Sequence, residues 1–187
     1  AGIELEDFPK IQSKYDLQSK YTSQFGYVLA EDVDTSVTAR FDGFTNTVGT
    51  LDVDPTDEDV RRAIQYLNDA PSPTMDRAFI VSPYQMNALM GIDKFMSKDY
   101  AVASFSKNQI GSLYGVPVYM TQNLEGANGS GHDNVLLQKA ALALVMQMNV
   151  KVESEYVVKR LAQQTIAHQI YGHAEMRDDH GVWWKGR

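Results

Sequence analysis

The sequence predicts an α+β fold on three observations: a long helical pattern in the first forty residues, a capped strand-to-helix turn at Arg77 to Gln85, and a strictly alternating apolar strand from Leu142 to Val152.

The helical pattern comes first. From Ile11, the positions Tyr15, Gln18, Thr22, Phe25, Leu29, Val33 and Val37 recur in steps of three and four, with Gln18 the polar member of the stripe. This predicts one long helix, with Asp7 as its cap and Pro9 in its first turn. Continued to Arg40, it would be about 45 Å long at about 1.5 Å per residue. Gly26 costs about 1 kcal/mol relative to alanine there, and marks a bend or a close approach. Phe41 to Asp54, rich in glycine and threonine, reads as a turn-rich connection. Thr56 then caps a second helix. Val60, Ile64 and Leu67 are its buried stripe, and Asp57, Glu58 and Asp59 suit its positive end. Asn68 to Pro73 stops it.

Ala78-Phe79-Ile80-Val81 has the pattern of a buried strand. Ser82 after it is an N-cap, Pro83 fits the first helical position, and Gln85 completes a capping box. Met86, Leu89 and Met90 follow at helical spacing, and Gly91 offers the left-handed conformation that ends many helices. Some nineteen residues without clear period come next, with Lys94, Lys98, Asp99 and Lys107 among them. Gly111 and Gly115 bracket Leu113 and Tyr114 ahead of a strand at Val116 to Thr121. Pro117 cannot donate to a ladder, so that strand begins there or lies at an edge.

Glu125 to His132 is a glycine-rich loop. It lacks the lysine and the following Ser or Thr of a phosphate-binding loop, and does not sit between strand and helix as a dinucleotide fingerprint would. Leu142, Leu144, Met146, Met148, Val150 and Val152 then alternate with Ala143, Gln147, Asn149 and Lys151, and the apolar set is expected to be a core face. Between Tyr156 and Tyr171, Val158, Ala162, Ile166 and Ile170 sit four apart, which favours a helix, while the Val and Thr content permits a strand. Val182-Trp183-Trp184 reads as a final strand whose tryptophans anchor packing or a neighbouring subunit.

Composition bounds the function. With 187 residues, 43% of them hydrophobic and 22% charged, the chain can bury an ordinary core in one or two units. A net charge of -7 argues against a dominant phosphate-neutralising surface, so no specific nucleic-acid recognition is expected. Zero cysteines exclude disulfides and thiolate metal sites. No apolar run approaches a bilayer span and no signal-peptide pattern is present, so a soluble chain without membrane contact is expected.

Catalytic signals are sparse. His173, Glu175, Asp178, Asp179 and His180 crowd together, but the two histidines are seven apart and Arg177 intervenes, so a solvated charged turn is favoured over a metal site. Ser82, Ser104 and Ser106 lack a nucleophile-elbow context. No catalytic residue, cofactor or metal is assigned, and the chain is not expected to be an enzyme.

Arg77-Ala78-Phe79-Ile80-Val81-Ser82-Pro83, followed by Gly115-Val116-Pro117-Val118-Tyr119-Met120-Thr121-Gln122-Asn123, resembles the major capsid proteins of tailed bacteriophages. Leu136 to Ala143 and Tyr171 to Arg177 are similar to late segments of the same family. The resemblance implies a Hong Kong ninety-seven-like α+β fold with a long spine helix, a peripheral domain and an axial domain. Residues 1–55 would hold the spine helix and its connection within the peripheral domain. Residues 56–150 would be mainly axial, and 151–187 would return as peripheral strands. Tyr156 to Tyr171 would be extended. An N-terminal arm and an extended loop normally precede the spine helix, and since the sequence begins almost at that helix, both are expected to be missing from the chain as given.

The resemblance further implies a structural protein that self-assembles as pentamers and hexamers into an icosahedral head enclosing DNA. It would be located in the virion after assembly in the bacterial host cytoplasm, with scaffolding, portal or decoration proteins as further partners. Gly126, Asn128, Gly129, Trp183 and Trp184 are the candidate subunit-interface residues. A shell protein of a non-viral, encapsulin-like nanocompartment is the alternative, and a metal-dependent enzyme using His173 to His180 is a more distant one.

Overall fold

In the computed structural model, residues 1–92, 109–124, 126–127 and 131–186 are described. They form two units, one from Ala1–Asp34 with Leu144–His173, the other from Thr35–Ala143 with Ala174–Arg187.

The first unit is built on a three-stranded sheet. Strand β1 (Gly2–Glu6) leads into a short helix α1 (Asp7–Gln12), and a longer helix α2 (Leu17–Thr38) follows. Later in the chain come two long strands, β8 (Leu142–Val157) and β9 (Ala162–Glu175), in the sheet order β1-β9-β8. The single helix expected from Asp7 to Arg40 is therefore two. Ser13 breaks it: its Oγ accepts from the Tyr15 N–H at 3.1 Å and donates to the Tyr15 carbonyl at 3.0 Å, while Asp16 Oδ1 accepts from Ser19 N at 3.2 Å and starts α2 afresh. With 22 residues, α2 is about 33 Å long. Its Phe25 and Leu29 pack with Ala167 of β9 and Ile3 of β1. The open question over 156–171 resolves as extended chain, because β8 and β9 are joined by a 3-10 turn at Val158–Arg160 and Leu161 takes a left-handed backbone, φ 47°.

The second unit holds a larger sheet. Its strands are β2 (Thr47–Gly49), β3 (Arg77–Val81), β4 (Gln109–Leu113), β5 (Val116–Met120), β6 (Gly126–Ala127), β7 (Gly131–Gln138) and β10 (Gly181–Gly186). Their order is β2-β10-β7-β3-β5-β4, with β6 on β7. Helices α3 (Asp57–Asp69) and α4 (Pro83–Met90) cover one face. Val60, Ala63 and Leu67 of α3 and Met86 and Leu89 of α4 meet Phe79, Val81, Val118, Leu136, Val182 and Trp184 in one core. On the other face, Phe41, Phe44 and Leu124 pack on Val135 and Ala141, with Ile80, Leu137 and Trp183 against them. The segment 41–54, expected to be only turns, thus supplies two core phenylalanines and β2, which runs parallel to β10 in the register Val48↔Trp184.

Local signals explain the ends of these elements. Thr56 and Asp59 form a full capping box on α3. Ser82 Oγ accepts from Gln85 N at 3.0 Å as expected, but the reciprocal half of that box does not form. Asn134 Oδ1 takes the Ser82 N–H at 2.6 Å, and the Gln85 side chain packs against Gly186. Gly91 ends α4 in a right-handed conformation, φ -75°, not the left-handed one expected. Tyr114 and Gly115, φ 51° and 83°, make the two-residue turn between β4 and β5, the positive pair that a type I′ hairpin requires. Consequently Val116 begins β5, and the strand lies inside the sheet, not at its edge. Pro117 is tolerated because pairing with β3 starts one residue later, at Phe79↔Val118.

Candidate functional site

The sequence-predicted residues scatter. Trp184 is wholly buried and meets Phe79 edge-on at 5.5 Å, so it presents nothing to a neighbour. Trp183 is half-buried; its Nε1 donates to Asp133 Oδ1 at 2.9 Å, and Lys185 Nζ lies 4.1 Å from its ring centre. Burial raises the Asp133 carboxyl above its ordinary value, against the lowering effect of that hydrogen bond. Gly126 pairs with His132 at φ 112°, and an added Cβ would stand 2.1 Å from the Gly131 carbonyl, so its role there is backbone geometry. Asn128 and Gly129 lie outside the described residues.

The charged cluster near the end also separates. His173 stacks at 6.3 Å on Tyr171, whereas His180 is buried. The Glu175 carboxyl is raised by burial and by Asp178 beside it, and Asp178 Oδ1 accepts from Thr45 N at 2.7 Å. Among the described residues no three His, Cys, Asp or Glu groups converge as metal ligands. No helix among them is long and apolar enough to cross a membrane.

Arg77 is a functional-looking residue with a structural explanation. Its guanidinium is buried with no carboxylate paired to it among the described residues, and donates to the carbonyls of Pro73, Leu67 and Ser72 at 2.9, 3.0 and 3.1 Å, and to Asn68 Oδ1 at 2.6 Å. It closes the C-terminal end of α3, where orphan carbonyls and the negative helix end both favour a cation. Burial lowers its pKa.

The surface that stands out is β8. Leu144, Met146, Val150 and Val152 are 47, 41, 47 and 44% exposed, so the expected core face is largely bare. The reason is coverage. Ser154 Oγ lies 3.0 Å from Thr165 Oγ1, which puts the even-numbered β8 residues on the same sheet face as Thr165 and Ala167, the face that Phe25 and Leu29 of α2 cover. Among the described residues the apolar core under that helix lies on β9 and β1. On the opposite face of β8, Lys151 and Glu153 are paired, a contact that lowers the Glu153 carboxyl. Among the described residues β8 has a strand neighbour on one side only. Among the described residues no catalytic centre is assembled; they offer an apolar stripe on an open strand edge.

The sequence matches no protein-family model and no curated protein. Its fold does have relatives. A chain from Mycobacterium phage Che8 superposes with a TM-score of 0.80 at 21% identity, covering 98% of this chain and 69% of that one. The capsid of cyanophage P-SCSP1u gives 0.78 at 16%, covering 100% and 71%. The holo-SrpI encapsulin complex from Synechococcus elongatus PCC 7942 gives 0.75 at 13%, covering 99% and 71%. The fold is that of the Hong Kong ninety-seven-like capsid proteins of tailed phages.

Proposed function

We propose that this chain is the shell-forming body of a tailed-bacteriophage major capsid protein, assembling in pentamers and hexamers into an icosahedral head around DNA. The observation that carries the reading is the superposition of essentially the whole chain on phage capsid chains, with TM-scores of 0.80 and 0.78. In this reading the unit containing α2 and the three-stranded sheet is the peripheral domain, and the unit containing the larger sheet is the axial domain.

The work of such a subunit is geometric. Many modest contacts, repeated by closed symmetry, become jointly strong. A net charge of -7 suits a wall that confines DNA without gripping it. Residence in the virion, assembly in the host cytoplasm, and scaffolding, portal or decoration partners belong to the same proposal. The encapsulin match favours a second reading, a protein-filled compartment shell. Expression of the whole protein followed by electron microscopy tests both: closed shells are expected, and stable monomers alone would refute either reading. Nucleic acid in shells isolated from the native source supports the head; packaged protein in its place supports the compartment.

A further inference from the structure

We propose that the free edge of β8 pairs antiparallel with β8 of a second copy about a two-fold axis through Val152, joining the two small sheets into one of six strands. This deepens the shell reading by naming a contact between copies, and rests on that reading for the supply of identical neighbours.

Three observations carry it. First, β8 runs for 16 residues, and among the described residues one of its edges has no strand partner. A long edge of unpaired amides and carbonyls is a template for another strand. Second, an antiparallel two-fold keeps each side chain on its own face, so the bare stripe of one copy continues into that of the other. Third, the charges select the register. β8 carries Lys151, Glu153 and Glu155 on one face. Centring the axis on Lys151 opposes two lysines, and centring it on Glu153 opposes two glutamates. Centring it between them, on Val152, sets Lys151 against the partner's Glu153 twice and leaves no like charges opposite one another. The same register sets Val152 against itself, Val150 against Ser154 and Met148 against Tyr156. Cross-strand apolar and opposite-charge pairs of this kind are what stabilise a ladder.

The test uses the absence of cysteine from the chain. In the whole protein, Val152→Cys places two sulfurs on the axis, with Cα atoms about 4.5 to 5.5 Å apart, within disulfide reach. Val150→Cys, on the same face, is displaced from its own copy by four residues, about 14 Å, and cannot bridge. Mild oxidation is therefore expected to link Val152→Cys into dimers and to leave Val150→Cys monomeric on denaturing gels.

In the Val152→Cys background, Lys151→Glu or Glu153→Lys alone is expected to lower the linked fraction about fivefold or more, and the double exchange to restore it. Equal linking at both cysteines, no linking at Val152→Cys, or no rescue by the double exchange overturns the contact; in that last case Lys151 and Glu153 only guard the edge. Shells without the Val152 link remove this contact and leave the shell reading standing. Linked dimers that never form shells do the reverse.

Discussion

Strands β3 and β8 both carry apolar residues that the sequence marks for burial, a continuous run in β3 and every second residue in β8, yet one is sealed and the other bare. Phe79 and Val81 of β3 lie under α3 and α4, and Ile80 of the same strand meets the opposite core. Leu144 to Val152 of β8 has one helix beside it, and that helix is spent on β9 and β1. An apolar pattern therefore reports that a strand wants a cover, while the neighbouring elements decide whether the chain itself supplies one.

The largest test of this contrast compares truncations on the two strands. Phe79→Ala empties a fully buried site beside Trp184 and is expected to cost about 3–5 kcal/mol in chemical denaturation. Met146→Ala, on the bare stripe, is expected to stay within about 0.5 kcal/mol in the isolated subunit. Its effect would show in assembly yield. A Met146→Ala loss as large as that of Phe79→Ala would mean that the stripe is covered within the chain after all.

Arg77 comes next, at the entrance to the sealed strand. Arg77→Met removes the donors to three carbonyls and to Asn68, and about 2–3 kcal/mol of destabilisation is expected. Hydrogen exchange should quicken first across the end of α3 and the turn before β3. Uniform quickening across β7 and β10 as well would show that the residue supports the whole sheet. A smaller loss, about 1 kcal/mol, is expected for Thr56→Ala at the other end of α3, where one capping box is at stake.

These ranks track how much of the molecule could be read from the sequence. Caps are local, so Thr56 and Ser82 declared α3 and α4 from a few residues each. Long-range pairing is not local. Gly181 lies against the Phe44 ring, where a Cβ would come within 2.2 Å, and β2 pairs with β10 across more than a hundred residues, relations that no window of neighbours contains. The break at Ser13 is masked in the sequence because the apolar stripe keeps its phase through Tyr15, although Asp16 is a legible cap. Burial shows the same limit. Trp184 is buried within its own unit and the stripe on β8 is exposed, because sequence shows appetite for burial and not its satisfaction.

The smallest effect concerns pH and lies where β9 leaves its sheet. Glu175 is a carboxyl whose folded pKa is raised, first by burial and then by Asp178, with which it shares a hydrogen bond. A raised acid binds more protons folded than unfolded, so stability falls as pH climbs from the ordinary glutamate value through the raised one, and the penalty is absent at lower pH. Glu175→Gln keeps a donor toward Asp178 and removes the titration. It is expected to flatten the stability profile over that window and leave stability below it unchanged, as read from denaturation midpoints at a series of pH values. The Glu153 carboxyl on β8 shifts the opposite way, lowered by Lys151, but it is fully exposed and screened, so Glu153→Gln should leave the isolated subunit's profile nearly as it was. If the Glu153 variant altered the profile more than the Glu175 variant, the order of the two carboxyls, one raised beside Asp178 and one lowered beside an exposed lysine, would be reversed.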